Sequence, residues 1–221
     1  QQVNQMDTGI TLNPERRDAM LESGAWNDKL ITDYLDQAVA STPDREAIVG
    51  YQVTSDTRTA LTYRELNDKV TRMAAGLVAL GIGKGEVVAC QLPNWWQTTA
   101  LHLACMRIGA ILNPLMPIFR ERELRFMLKH GEAKLLVIPK VFRGFDYEAM
   151  IDGIRGELPD LETLLVIDGE GERSFEQRLV ETPWEEKQDT RALFAERQLT
   201  ADDAIQILYT SGTTGEPKGV M

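Results

Sequence analysis

An α/β architecture with a largely parallel sheet flanked by helices is the fold this chain predicts, and three observations predict it. Short apolar runs alternate with helical segments from Val87 to Ile167, the pattern of strand–helix–strand units rather than of hairpins. The first of those runs, Val87 to Leu92, is apolar almost throughout, as a strand covered on both faces reads. The chain has 221 residues, 43% of them apolar and 26% charged. That is enough to bury a substantial core in a soluble globular protein.

Taken in order, residues 1–25 are polar and weakly periodic, and are expected to form a loosely attached lead-in to an α/β unit over 26–221. Trp26 to Ala40 reads as an amphipathic helix, with Leu30, Tyr34, Leu35 and Ala38 at helical spacing. Ala47–Val49 and Thr59–Leu61 flank a polar Ser55-Asp56 turn and read as a hairpin. The next helix carries full start signals: Thr62 and Glu65 form a capping box, with Leu61 and Leu66 at the staple positions. Gly81 supplies its stop. Helices follow over Trp95–Ile108, Glu121–His130, Asp146–Glu157 and Ser174–Thr182. Strands are expected at Ile111–Pro114, Leu135–Ile138, Leu164–Ile167 and Ala204–Tyr209, the last apolar enough for burial on both faces. Asn94 is a candidate cap for the Trp95 helix, and the acidic stretch Asp168–Glu172 reads as an exposed loop.

Composition excludes several classes. With 24 basic and 34 acidic residues the net charge is −10, which argues against nucleic acid and anionic membranes as partners. No apolar run approaches the ~20 residues of a membrane span, and the polar amino terminus has no secretory pattern. Cys90 and Cys105 each lie in an apolar segment and are expected to be buried reduced thiols, in keeping with a cytoplasmic protein. His102 and His130 lie far apart in sequence and suggest no metal site. Arg120, Arg122 and Arg125 could meet an anion such as the phosphates of a cofactor, but interleaved Glu121 and Glu123 favour a solvated helix face. Trp95 and Trp96 could line a ligand channel, although core packing is the simpler role.

The chemistry concentrates in the last residues. The apolar run Ala204–Tyr209 breaks into Thr210-Ser211-Gly212-Thr213-Thr214-Gly215, and Pro217 and Lys218 follow. Backbone N–H groups, four hydroxyls and one ammonium in a short loop suit the oxygens of a nucleoside triphosphate. The loop lies past the carboxyl end of a strand, where α/β sheets bind ligands. It is not the G-x-x-x-x-G-K-[ST] phosphate loop, because Pro217 stands where the second glycine belongs and Gly219 follows Lys218. Gly212 and Gly215 also satisfy the G-x-x-G of an RNA-clamping loop, which the acidic balance disfavours.

Read whole, T-S-G-T-T-G-E-P-K-G-V behind Ile-Leu-Tyr resembles the signature of the adenylate-forming enzymes, a superfamily of acyl-CoA synthetases, luciferases and peptide-synthetase adenylation domains. Leu61-Thr62-Tyr63-Arg64-Glu65-Leu66 is similar to that family's L-[TS]-Y-x-E-L segment, and Arg107 to Leu115 to its glycine-to-proline stretch. Pro93-Asn94-Trp95-Trp96 and Asn113 to Leu124 look most like short- or medium-chain and cyclohexanecarboxylate-type CoA ligases. The resemblance implies a two-step ligase taking a small carboxylic acid, ATP with Mg2+, and CoA. Thr210, Ser211, Gly212, Thr213, Thr214 and Gly215 would hold the β- and γ-phosphates, and Lys218 would neutralise the leaving pyrophosphate. The family's adenine, ribose and catalytic-lysine motifs follow this loop, so the chain is expected to be an amino-terminal fragment, inactive alone and prone to self-association. A free-standing nucleotide- or phosphate-binding module and a non-catalytic interaction domain on the same scaffold stay open as alternatives.

Overall fold

A computed structural model describes residues 13–52, 56–210 and 218–220. Its centre is a four-stranded, wholly parallel sheet of β3 (Val87–Cys90), β4 (Ile111–Pro114), β5 (Ala133–Pro139) and β8 (Thr163–Ile167), in the order β4-β3-β5-β8. Side chains alternate between two cores, with one irregularity at the start of β5, where Ala133 and Leu135 enter opposite cores. Val88, Cys90, Leu112, Leu135, Val137, Leu165 and Ile167 enter one, and Val87, Ala89, Ile111, Leu136, Ile138, Leu164 and Val166 the other. Period-two alternation with both faces apolar is why these strands read as continuous hydrophobic runs.

The first core is covered by α3 (Tyr63–Ala79) and α4 (Trp96–Ile108), the second by α5 (Glu121–His130) and α6 (Tyr147–Ile154). The connection leaving β3 runs outward to β4 over one face and that leaving β5 runs the other way to β8 over the opposite face, so the gap between β3 and β5 is the topological switch point. The parallel expectation holds strand by strand, and β4 and α5 begin and end where the sequence puts them.

Ahead of the sheet lie α1 (Pro14–Glu22), α2 (Ile31–Ser41) and the antiparallel hairpin of β1 (Glu46–Gln52) and β2 (Thr57–Thr62). The α1 helix lies within the stretch expected to be a loose lead-in. Asn13 caps it, Pro14 starts it, and Arg17 ties it to Asp202 at 2.8 Å. The α2 helix begins at Ile31 rather than Trp26. The capping box on α3 is present: Thr62 Oγ1 accepts from the Glu65 amide at 3.2 Å, and Glu65 accepts from the Thr62 amide at 2.8 Å. Gly81 follows with φ +87°.

Other elements differ from expectation. Asn94 is exposed and does not cap α4; the cap position belongs to Trp95, whose amide donates to the Pro93 carbonyl. A second small hairpin, β6 (Val141–Phe142) and β7 (Phe145–Asp146), turns on Arg143 and Gly144 at φ +51° and +75°. The Ser174–Thr182 helix is a π-helical segment over Glu176–Glu181. After it come α7 (Trp184–Lys187) and α8 (Thr190–Ala195), which the sequence reading leaves out. Among the described residues no helix is long and apolar enough to cross a membrane.

Candidate functional site

The run expected as a strand over Ala204–Tyr209 does two jobs. Its first part lies parallel to β4: the Leu112 amide donates to the Ile205 carbonyl at 3.0 Å, and the Ile207 amide donates to that of Leu112 at 2.9 Å. Its second part, β9 (Leu208–Thr210), pairs antiparallel with β10 (Lys218–Val220), Thr210 opposite Lys218 and Leu208 opposite Val220. Burial on both faces is not found. Ile207 is buried, whereas Ile205 and Leu208 are exposed. A run on the outer edge of β4 has a packed layer on one side only.

Because 205–207 runs parallel to β4, the hairpin leaves the sheet at its carboxyl end, on the edge of β4 away from β3. Of the residues the sequence nominates for phosphate binding, Thr210 is exposed at the end of β9, and the backbone of Lys218 opens β10 beside it. Ser211, Gly212, Thr213, Thr214 and Gly215 lie outside the described residues, as does the side chain of Lys218. The register closes the neck of the loop, so its first hydroxyl residue and its lysine stand side by side although seven residues separate them.

The neck rests on the carboxyl end of α5. The Tyr209 hydroxyl donates to the Met127 carbonyl at 3.0 Å and stands 3.1 Å from His130 Nδ1. Burial pushes that hydroxyl up to about 12, so it stays protonated at any ordinary pH. A carbonyl only accepts, so the one phenolic proton goes to Met127, and His130 must carry a proton on Nδ1 and donate to the phenolic oxygen. Phe126 stacks on His130 with ring centroids 5.4 Å apart and meets Tyr209 edge-on at 6.2 Å. On the opposite strand a Cβ on Gly219 would come within 3.4 Å of His130 Cε1. Sequence reasoning assigns neither His130 nor Tyr209 to the site; pairing across 79 residues leaves no local trace.

The carboxyl end of the sheet is lined from within. Gln91 is fully buried and its Nε2 donates to the carbonyls of Met116 and Phe119, both at 3.0 Å. Tyr147 donates to the Pro117 carbonyl at 2.8 Å. Arg120, one candidate for an anion, donates instead to the Pro117 and Phe119 carbonyls and lies 3.9 Å over the Phe145 ring. Arg125 pairs with Glu157 at 2.9 Å, and Arg122 is exposed. Trp95 meets Phe142 edge-on and Trp96 lies beneath the Lys69 ammonium, both half-buried against the first core. Cys90 and Cys105 are buried free thiols, and burial pushes Cys90 up to about 12, leaving no thiolate for chemistry. Among the described residues no cluster of His, Cys, Asp or Glu could hold a metal ion.

A family model described as AMP-binding enzyme matches residues 35–221. The chain is 32% identical over 98% of its length to a medium-chain fatty-acid–CoA ligase of Escherichia coli. It is 31% identical over 92% of its length to a salicylyl-CoA synthase / salicylate adenylyltransferase of a Streptomyces species. It covers 37% and 36% of those two proteins, so it spans about a third of the length of the curated relatives it matches. Among solved structures it superposes on apo MbtA of Mycobacterium smegmatis with a TM-score of 0.76 at 27% identity, covering 96% of this chain and 37% of that one. A fatty acyl CoA synthetase of Mycobacterium tuberculosis matches at 0.69, also at 27% identity, over 86% of this chain and 34% of that one. With its family match running from α2 through the β9–β10 hairpin, this chain belongs to the AMP-binding enzyme family, the adenylate-forming enzymes.

Proposed function

We propose that the protein carrying this chain is an AMP-forming acid–thiol ligase that activates a small carboxylic acid. The carboxylate attacks the α-phosphate of ATP to give an acyl-adenylate and pyrophosphate, and the thiol of CoA then displaces AMP. One observation carries this reading: the Thr210–Lys218 neck, closed by strand pairing, stands at the carboxyl end of a parallel sheet, where such sheets bind ligands. In this reading the amides and hydroxyls of Thr210, Ser211, Gly212, Thr213, Thr214 and Gly215 donate to the β- and γ-phosphates, and Lys218 offsets the charge that builds on the leaving pyrophosphate. Donors fixed before reaction do more for a transition state than donors that must be recruited.

Residues 26–221 are then the amino-terminal α/β subdomain of that ligase, with α1 fastened to it through Arg17. A medium-chain, aromatic or alicyclic acid is the substrate class to test first, and a cytoplasmic location and a homo-oligomeric state belong to the same reading. Mg2+ accompanies ATP in such chemistry, but the described residues offer it no ligand set, and no step is assigned through it.

ATP–pyrophosphate exchange on the complete polypeptide tests the proposal, with a panel of medium-chain, aromatic and alicyclic acids. Acid-dependent exchange is expected. ATP binding without exchange on any acid would favour the free-standing nucleotide-binding module.

A further inference from the structure

The segments that follow β3, β5 and β8 line a crevice of about 450 Å³, a volume in the range of small-molecule sites. It lies over the switch point between β3 and β5, where parallel sheets bind ligands, on the far side of β3 from the loop neck. Trp95 and Gln97 come from the turn and helix after β3, Phe142 and Arg143 from the hairpin after β5, and Asp168 from the end of β8. Glu176 joins them from the first position of the π-helical segment. Left-handed backbone at Arg143 and Asp168, φ +51° and +63°, adds the local strain that gathers at ligand sites.

The charges in this crevice do not balance. Glu176 is half-buried, and loss of solvent raises its carboxyl pKa above the ordinary value, with the Asp168 charge beside it adding to the effect. Glu176 Oε2 accepts from the Asp168 amide at 3.3 Å. Among the described residues neither carboxylate has an ion-pair partner. Arg143 is the only basic residue among those lining the crevice, and its guanidinium lies 5.3 Å over the Phe142 ring instead of on either acid. Phe142 in turn meets Trp95 edge-on, their centroids 5.8 Å apart. Two acceptor-only groups beside an aromatic wall match one ligand chemistry: a cationic head that donates, on an apolar body. A bare metal ion is the poorer match, since among the described residues no third His, Cys, Asp or Glu stands with the two carboxylates.

We propose that this crevice binds a small organic amine as its ammonium ion, the head between Glu176 and Asp168 and the body against Trp95 and Phe142. The ammonium supplies the charge that the two acids lack, and its three protons meet oxygens that only accept. Binding here is read without turnover, so it stands or falls apart from the ligase reading.

Calorimetry on the complete polypeptide tests it, with 2-phenylethylammonium as the probe and 2-phenylethanol as the neutral molecule of the same shape. The amine should bind, and the alcohol should bind about 10-fold more weakly or worse, as loss of a charge-assisted hydrogen bond implies. Glu176→Gln and Asp168→Asn keep the side-chain shape, and Asn accepts left-handed backbone. Each should weaken the amine about 10-fold with no fall in Tm. Arg143→Gln removes a like charge and should tighten binding a few-fold. No amine binding in the millimolar range, equal affinity for the alcohol, or unchanged affinity in either carboxylate variant would overturn the proposal. Weaker binding in Arg143→Gln would overturn it too, because that result marks an anion site. Nα-acetyl-lysine methylamide carries the same head on a protein-like backbone; if it binds more tightly than the free amine, the small-molecule assignment fails.

Discussion

His102 sits half-buried on α4 with its Nε2 enclosed and unpaired, and burial holds its pKa below the ordinary imidazole value. The folded state therefore disfavours the proton that the unfolded chain accepts near pH 6.5. Stability from the neutral ring is complete above that pH and is lost as pH falls toward the lower folded pKa, since the unfolded state binds more protons there. Tm should decline between pH 7.5 and 5.5, and His102→Leu should flatten that decline; an unchanged slope would mean the proton finds a partner. Thr62 is the residue whose role was most legible. Its cap and the Glu65 reply need only a four-residue pattern, and Thr62→Ala should cost about 1 kcal/mol by urea titration. Asn94 had the right chemistry for a cap and lacks the right place. The chain turns at Pro93–Trp95, and the helix starts two residues beyond it. The Tyr209–His130 contact and the unpaired Asn113 amide were invisible because each depends on which strands become neighbours.

At the scale of elements, the parallel strands could be read because strands covered on both faces write their burial into continuous apolar runs. Short helices leave no such record. The α7 helix has four residues and is set by tertiary contacts: Arg72 of α3 pairs with Glu185, and Trp184 Nε1 donates to the Arg178 carbonyl at 2.7 Å. Those contacts bring the segment onto Gly76 of α3, where a Cβ would come within 2.8 Å of Leu179 Cδ2 and 2.9 Å of the Trp184 ring. Glycine in a helix interior costs about 1 kcal/mol relative to alanine, and overpacking a filled contact costs roughly 1–3 kcal/mol. The second effect should win, because an indole held by its own hydrogen bond gives way less easily than a chain end. Gly76→Ala should therefore destabilise the protein by up to about 2 kcal/mol in urea unfolding, and a stabilised variant would show that the α3–α7 contact is loose.

For the whole molecule, several apolar side chains beyond the carboxyl ends of the strands are exposed: Ile118 is 71% exposed, Met116 52% and Leu208 45%. Contiguous apolar surface beyond what a monomer ordinarily shows seeks a partner. The 221-residue chain by itself should self-associate, which light scattering over a concentration series would detect, and Ile118→Ser with Leu208→Ser should reduce it. A strictly monomeric wild-type chain would contradict this. The same end carries the loop neck, and one substitution tests the role of that loop most directly. In the complete polypeptide Lys218→Ala should slow acyl-adenylate formation by about 10²–10³-fold in single-turnover kinetics, as loss of one donor at developing charge does. Thioester formation from a supplied acyl-adenylate should change far less. Equal losses in both half-reactions, or no loss in the first, would contradict the assignment of this hairpin to the leaving pyrophosphate.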